Sequence, residues 1–295
     1  MKSNCAFAEE VYDFVPLHAL QWLYELIIVL YIFIALYSFC FMLAQLMQLV
    51  YRYTAKDKCD AQVPKEWCLL RYINSAIVCA FIVVHIGITV QHALSTIKFE
   101  FRTQKIIVRL FIALSFLYPI VLGLCAYWNE SLEGYTTYCV GITPSSSSVL
   151  AIDLCLLLAL DIGNALTSLL LWKYNHTRMA NEQTFNLTLS FHRRQNIYAM
   201  QQFLPIATIH TLLYIVFTVS IYFSQLYKSS MSPIWYLFAT VVANVIPFYC
   251  FLSPLIFLIL VRRGRFKRVS HVQNLINTEQ NSNQLYFAAL RDQWK

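Results

Sequence analysis

Long apolar stretches constrain the fold of this sequence more than any other feature. Six of them are long enough to cross a membrane as a helix, which takes about 20 mainly apolar residues. Strands of a membrane barrel would be about 10 residues long with alternating polarity, so these stretches predict helices. The six predicted spans are residues 21–50, 69–95, 106–128, 149–172, 203–226 and 234–261.

The low charge content excludes the main soluble alternatives. Charged residues make up 13% of the chain, against about 25% in a typical soluble domain. A disordered chain needs high charge, and one soluble core cannot bury a hydrophobic fraction of 59%. We therefore predict an all-α polytopic transmembrane helix bundle, with one domain over residues 1–261 and a basic cytoplasmic tail over residues 262–295.

The first apolar stretch is unusually long. Between Leu26 and Val50 it contains no charged residue, no proline and no glycine. It is too long for one upright helix and too short for two helices with a turn, which need roughly 45 residues. We predict a single long, tilted helix.

The distribution of Lys and Arg predicts the orientation. Basic residues concentrate in segments 96–105 and 173–202 and at the start of the tail, whereas segment 129–148 has none. Because basic loops stay in the cytoplasm, we expect the tail inside and segment 129–148 outside. Segment 52–67 should then be outside as well, although it carries four basic residues. The net charge of +7 thus reports membrane orientation, and no nucleic-acid partner is expected.

Polar side chains inside the predicted spans are the candidates for function, because they are expensive in a membrane. Asp153 and Asp161 lie eight residues apart, on adjoining helix faces about 80° from each other. For both, a ligand or proton site and structural pairing remain open. His85 and Asn244 complete the predicted ligand-binding set, with packing and interhelical hydrogen bonding as their alternatives.

No motif predicts an enzyme, a metal site or a cofactor. Nothing in the sequence resembles a phosphate loop, a nucleophile elbow or a paired-carboxylate hydrolase site. His85 and His210 lack the spacing of metal ligands, and we interpret them as packing residues. In the predicted outer segments, Cys68 and Cys139 are well placed for a disulfide, and Asn129 begins a glycosylation sequon.

Four short motifs follow one another along the chain. They are Asn4-Cys5-Ala6-Phe7-Ala8-Glu9, residues 57–71 with Pro64-Lys65-Glu66-Trp67-Cys68, residues 189–197 with Arg194-Gln195-Asn196-Ile197, and residues 247–256 with Pro247-Phe248-Tyr249. They resemble the N-terminus, first outer loop, third inner loop and last helix of nematode serpentine chemoreceptors of the Sra superfamily, in its alpha or alpha/beta class. The likeness covers most of the chain.

This resemblance implies a rhodopsin-like bundle of the G protein-coupled receptor type, with a small-molecule ligand and a heterotrimeric G protein as partner. It also implies a disulfide of the Cys68–Cys139 kind, between a helix and an outer loop. The residues that it implies at the G protein-facing inner surface are Gln91, His92, Arg193 and Arg194.

The chain departs from the family pattern in two places. The family has seven helices and this sequence predicts six, as if a deletion of roughly 40–50 residues had joined the start of the first helix to the end of the second. At the inner end of its third helix the family shows Glu-Arg-x-x-Ala-Thr, where this chain has Gln91-His92-Ala93-Leu94-Ser95-Thr96. The loss of both charges counts against ordinary G protein coupling.

Together these features predict a multi-pass receptor in the plasma membrane or a sensory cilium, which binds an environmental chemical among its helices. Two alternatives remain open. One is a six-helix transporter or channel subunit with Asp153 and Asp161 on the solute path. The other is a truncated, non-signalling receptor product. Inverted repeats, or helices broken by glycine or proline, would favour transport.

The charge pattern predicts a topology that glycosylation can test. Six spans and an inner tail place Met1 inside, so we expect Asn129 to be glycosylated and Asn175 and Asn186 to stay bare. A glycosylation scan with an added sequon near residue 8 measures this. Modification near residue 8 with a bare Asn129 would reverse the orientation, and modification at both positions would reveal a seventh crossing.

Overall fold

Helices account for nearly all of the described chain. The computed structural model describes residues 15–56, 62–97, 101–128, 131, 133–136, 139, 147–181, 187–264, 266 and 270. Within these residues, six helical segments are long and apolar enough to cross a membrane. The predicted all-α transmembrane bundle with six spans is therefore confirmed.

The helices follow one another with short connections. The first two helices are separated by a short 3-10 helix, Lys65–Cys68, and the last two together form the sixth span. In chain order the helices are α1 (Val15–Thr54), α2 (Leu69–Ile97), α3 (Phe101–Tyr127), α4 (Ser147–Asn181), α5 (Leu187–Leu226), α6 (Pro233–Ala243) and α7 (246–264).

The first span is one continuous helix, as the sequence predicts. α1 contains 40 residues, which makes it about 60 Å long, twice the hydrocarbon thickness of about 30 Å. Leu26, Leu30 and Phe33 are buried, whereas Ile28 and Ile32 are exposed. Because residues three and four apart share a helix face, one apolar face of α1 packs on the bundle and the other faces lipid.

The second helix lies at the centre of the bundle. In α2, 72% of the most apolar stretch is buried, against 22–39% in the other five spans. α2 contacts α1, α3, α4 and α5, and Tyr249 connects it to α7. Gly87 lets α3 approach closely, because a Cβ atom at this position would lie 3.0 Å from the Cβ atom of Phe111.

The structure corrects the predicted spans in two places. The last span is broken: α6 ends at Ala243, Asn244 has φ −77° and ψ 76°, and α7 begins at residue 246. Pro247 explains the break, since in a continuous helix it would have no N–H to bond the Ala243 carbonyl and its ring would clash with that carbonyl. α4 and α5 also extend into the predicted inner segment 173–202, because a membrane limits the length of the apolar stretch and not that of the helix.

A short ribbon and a disulfide cover one end of the bundle. Strand β1 (Val63–Pro64) pairs antiparallel with β2 (Tyr135–Thr136), and Gly134 enters β2 with a left-handed φ of 91°. Cys68 and Cys139 form a disulfide, with their Cα atoms 5.0 Å apart. The ribbon is absent from the sequence predictions, because two-residue strands carry no periodic signal. The bridge ties the segment after α1 to the segment after α3, so both lie on the same side.

Removal of the disulfide is expected to destabilise the fold. Cys68→Ser and Cys139→Ser should each cost about 2–4 kcal/mol, and the double variant no more than either single one, because both remove the same cross-link. Cys125→Ser is the control, since this cysteine is free and exposed on α3. Thermal unfolding in detergent measures all four variants. Additive losses, or wild-type melting temperatures for the single variants, would contradict the expectation.

Candidate functional site

Four buried polar side chains meet in the middle of the bundle, and we call them the polar centre. They are His85 of α2, Asp161 of α4, His210 of α5 and Tyr249 of α7, and none exposes more than 1% of its surface. At 1.5 Å per residue, His85 lies about 24 Å along α2 and Asp161 about 21 Å along α4. The polar centre therefore lies in the middle third of both helices.

Short polar contacts connect the members of the polar centre. His210 Nδ1 lies 3.3 Å from Asp161 Oδ2, and the Tyr249 hydroxyl lies 3.1 Å from His85 Nε2. The two imidazole rings are 4.4 Å apart between centroids and nearly perpendicular, at 81°. His85 Nδ1 and His210 Nε2 have no hydrogen-bond partner within the described part of the chain. The centre thus links four helices and leaves two ring nitrogens unused.

Asp153 lies in a separate polar cluster, closer to the disulfide end. The Tyr118 hydroxyl of α3 donates a hydrogen bond to Asp153 Oδ1. The Cys79 thiol of α2 lies 3.5 Å from Asp153 Oδ2. The sequence groups Asp153 with Asp161, but the structure separates them, because the adjoining faces of α4 meet different neighbours. Asp153 faces α2 and α3, whereas Asp161 faces α5.

Asn244 also lies apart from the polar centre, at the break between α6 and α7. Its side-chain oxygen accepts a hydrogen bond of 3.4 Å from the Tyr37 hydroxyl of α1. This contact joins the broken span to the first helix. It matches the interhelical hydrogen-bonding role that the sequence left open for this residue.

At the end of the bundle opposite the disulfide, hydrogen bonds join α2, α4 and α5; we call these contacts the inner network. His92 Nδ1 lies 2.8 Å from Asn196 Oδ1. Asn196 Nδ2 and Asn175 Nδ2 both donate to Thr96 Oγ1, at 3.1 and 2.8 Å. A glycan on the Asn175 amide nitrogen would be incompatible with this packing, which accords with the expectation that Asn175 stays bare.

Gln91 and His92, which the resemblance implies at the G protein-facing surface, are buried in this conformation. Their side chains are 2% and 5% exposed, and Gln91 Nε2 donates to Gln104 Oε1 at 3.3 Å. Each of the two side chains keeps one buried polar atom, Gln91 Oε1 and His92 Nε2, without a hydrogen-bond partner in the described residues. The side chains of Arg193 and Arg194, and all of Asn129, lie outside the described residues.

An apolar cavity of about 610 Å³ lies between α1, α2 and α3, next to the disulfide. Tyr72 and Tyr127 line it, with their rings stacked 4.2 Å apart. Gly123 of α3 lines it as well, and a Cβ atom there would meet nothing within 4 Å. None of the four side chains predicted to bind ligand is among those that line this cavity.

The sequence matches one protein family over most of its length. The matched family is described as serpentine type 7TM GPCR receptor class ab chemoreceptor, and the match covers residues 24–295. The chain belongs to this chemoreceptor family. The resemblance seen in the short motifs is thereby confirmed, and the protein is a multi-pass membrane receptor of the chemoreceptor type. No curated protein and no solved structure matches the chain.

The receptor family is named for seven spans, whereas the described residues of this receptor contain six. α1 runs without a break from Val15 to Thr54, so the described chain crosses a membrane once before the disulfide-bonded segment. The family match begins inside α1, at residue 24. The deletion that would join the start of the family's first helix to the end of its second helix stays a prediction.

His210 and Tyr249 are absent from the ligand-binding set predicted from the sequence. No local pattern marks them, because their partners lie on other helices and come together only through packing. One signal was available for His210: an ionisable side chain within an apolar span is rare and usually functional. The cavity had no signal, because it depends on how three helices pack around Gly123.

Loss of the Asn196 amide is expected to destabilise the receptor. Asn196→Ala should cost about 1–3 kcal/mol, because it leaves buried groups of His92 and Thr96 without their partner. Thr208→Ala on the same helix is the control, since the Thr208 hydroxyl bonds the Leu204 carbonyl of its own helix. Thermal unfolding of the purified receptor compares the two. Equal melting temperatures would show that the inner network contributes nothing to stability.

Proposed function

We propose that this receptor binds a small apolar chemical in the cavity between α1, α2 and α3. Binding there would act on the inner end of the bundle, where a heterotrimeric G protein couples. The cavity carries this proposal, because its volume of about 610 Å³ lies within the range of about 300–1,000 Å³ typical of small-molecule sites. Membership in a chemoreceptor family supports the same class of function.

The walls of the cavity favour an apolar ligand. Phe33, Ile77 and Phe116 line it from three helices, and such side chains offer contact area without hydrogen bonds. The cavity is open at its rim, where apolar side chains are exposed to lipid. An apolar chemical dissolved in the bilayer can therefore enter sideways.

The Asp153 cluster is placed to report occupation of the cavity. Phe116 and Pro119 line the cavity, and Tyr118 between them donates its hydrogen bond to Asp153 of α4. A ligand that displaces this part of α3 must therefore move Tyr118 or break its bond. We assign Asp153 to transmission between α3 and α4, and not to direct ligand contact.

The polar centre then connects α4 to α5. Asp161 lies two turns after Asp153 on α4, and its carboxylate contacts His210 of α5. Asn196 of the inner network lies 14 residues before His210 on α5, about 21 Å away. Because packed helices move as units between discrete arrangements, a shift of α4 reaches the inner end through α5.

Opening of the inner network is the proposed signal to the G protein. If α5 moves, the contact between Asn196 and His92 breaks, and the inner end of α2 can separate from α5. Gln91 and His92 would then become accessible, next to Arg193 and Arg194 on the first turns of α5. In this proposal Gln91 and His92 serve in the active conformation and are packed away in the resting one.

The break between α6 and α7 favours one second candidate, solute transport. Broken spans with exposed backbone groups are typical of secondary transporters, and Asn244 lies at such a break. Uptake of labelled chemicals into vesicles that contain the purified protein tests this candidate. Uptake without any ligand-dependent G protein activation would replace the receptor proposal with transport.

Filling the cavity is expected to weaken the response to an activating chemical. In host cells with a calcium reporter and a promiscuous G protein, Gly123→Phe should raise the half-maximal concentration of an activating apolar chemical at least about tenfold, because the ring occupies the ligand's space. Gly163→Phe on α4 is the matched control, since a Cβ atom there also meets nothing within 4 Å and the residue does not line the cavity. Surface expression of both variants is measured in parallel. Equal loss of response in both variants, or a wild-type response in Gly123→Phe, would contradict the cavity as the ligand site.

A further inference from the structure

We infer that the polar centre binds one zinc ion through His85, Asp161 and His210. One ring nitrogen from each histidine and one carboxylate oxygen all lie within 4.8 Å of one another. The three residues come from α2, α4 and α5, so no spacing pattern in the sequence marks them, and the sequence predicted no metal site. Zinc binding here needs neither a chemical ligand nor a G protein, and so goes beyond the proposed function.

The donor atoms are of the kind that zinc prefers. Two imidazole nitrogens and one carboxylate oxygen form a set that zinc takes at sites with three protein ligands, where a fourth position remains for water. Calcium and magnesium require six or more ligands, mostly oxygens. The polar centre offers too few oxygens for either ion, so zinc should bind selectively over both.

The distances allow a zinc ion after small side-chain movements. Bonds of about 2.0–2.2 Å place tetrahedral zinc ligands about 3.3–3.5 Å apart. His210 Nδ1 and Asp161 Oδ2 are already separated by 3.3 Å. The largest separation within the three ligand atoms, 4.8 Å, must shorten by roughly 1.5 Å, which rotations of two side chains can divide between them.

Tyr249 and two phenylalanines supply the surroundings that zinc sites usually have. Ligating histidines commonly bond a second group through their other ring nitrogen, which fixes the orientation of the ring. The Tyr249 hydroxyl lies 3.1 Å from His85 Nε2, and His85 Nδ1 has no hydrogen-bond partner in the described residues. We assign Tyr249 as the positioning residue. The rings of Phe203 and Phe81 pack against His85 and His210 and make the surroundings of the site apolar.

A metal ion accounts for the unused ring nitrogens better than an ion pair does. A protonated His210 beside Asp161 would satisfy one contact, but His85 Nδ1 would still lack a partner in the described chain. Unsatisfied buried groups of this kind call for a specific explanation, such as an ion. A single zinc ion would use His85 Nδ1, one nitrogen of His210 and the carboxylate at the same time, and would thereby give His85 Nδ1 the partner that the ion pair does not.

Metal analysis of the purified receptor tests the site directly. Receptor reconstituted in lipid nanodiscs, incubated with Zn²⁺ and freed of excess metal, is expected to retain about one zinc per chain by mass spectrometry of the metal. Asp161→Asn and His210→Gln should each weaken Zn²⁺ binding at least about tenfold, and Tyr249→Phe by about 10–100-fold. His92→Gln is the matched control, since His92 is also buried on α2 but bonds Asn196. Excess Ca²⁺ or Mg²⁺ should not displace the zinc.

A second measurement tests the site on the wild-type receptor, in case the variants of the zinc-binding residues do not fold. Co²⁺ added to the folded wild-type receptor should produce the visible absorption of a tetrahedral site, and one equivalent of Zn²⁺ should remove it. Folded wild-type receptor with neither retained zinc nor Co²⁺ absorption would overturn the zinc site in favour of a histidine–carboxylate pair alone. Undiminished Zn²⁺ binding in folded Asp161→Asn and His210→Gln would overturn it as well. Neither result would bear on the ligand cavity, which the Gly123→Phe variant tests separately.

Discussion

The structure depends on one constraint: polar side chains in the bilayer core must find partners inside the bundle, since no water is available there. α2 meets this constraint at three depths. Cys79 contacts Asp153 of α4, His85 contacts Tyr249 of α7, and His92 contacts Asn196 of α5. The three α2 residues are six and seven residues apart, so Cys79 lies on a face about 120° from His85, whereas His92 lies within about 20° of His85. The central position of α2 follows from this series.

The spans could be predicted from the sequence because apolar length is a local property. The continuous α1 follows in the same way from a stretch without charge, proline or glycine. A break before Pro247 was also within reach of sequence rules, since proline removes a helical hydrogen bond, but the rule does not say which proline breaks its helix, because Pro119 and Pro205 lie inside continuous helices. Two features had no such signal in the sequence. They are the extension of α4 and α5 beyond their apolar stretches and the two-residue strands.

For the candidate site, the sequence identifies single residues but not the residues that they contact. Asp153, Asp161 and His85 stand out because each is expensive in a membrane. Their partners depend on which helices are neighbours, and eight residues on α4 are enough to direct Asp153 to Tyr118 and Asp161 to His210. The cavity could not be predicted from the sequence. It is a space beside Gly123 that depends on how three helices pack, and no single residue marks it.

The family's charged Glu-Arg pair is replaced here by the uncharged Gln91 and His92. This replacement changes the energy needed for a conformational switch and does not exclude one. A buried hydrogen bond between uncharged groups is worth about 0.5–1.5 kcal/mol, so the two bonds from Asn196 of α5 to His92 and Thr96 of α2 sum to about 1–3 kcal/mol. Two conformations of one protein commonly differ by a few kcal/mol. In the proposed function, a ligand with a modest preference for the open arrangement would therefore be enough to separate α2 from α5.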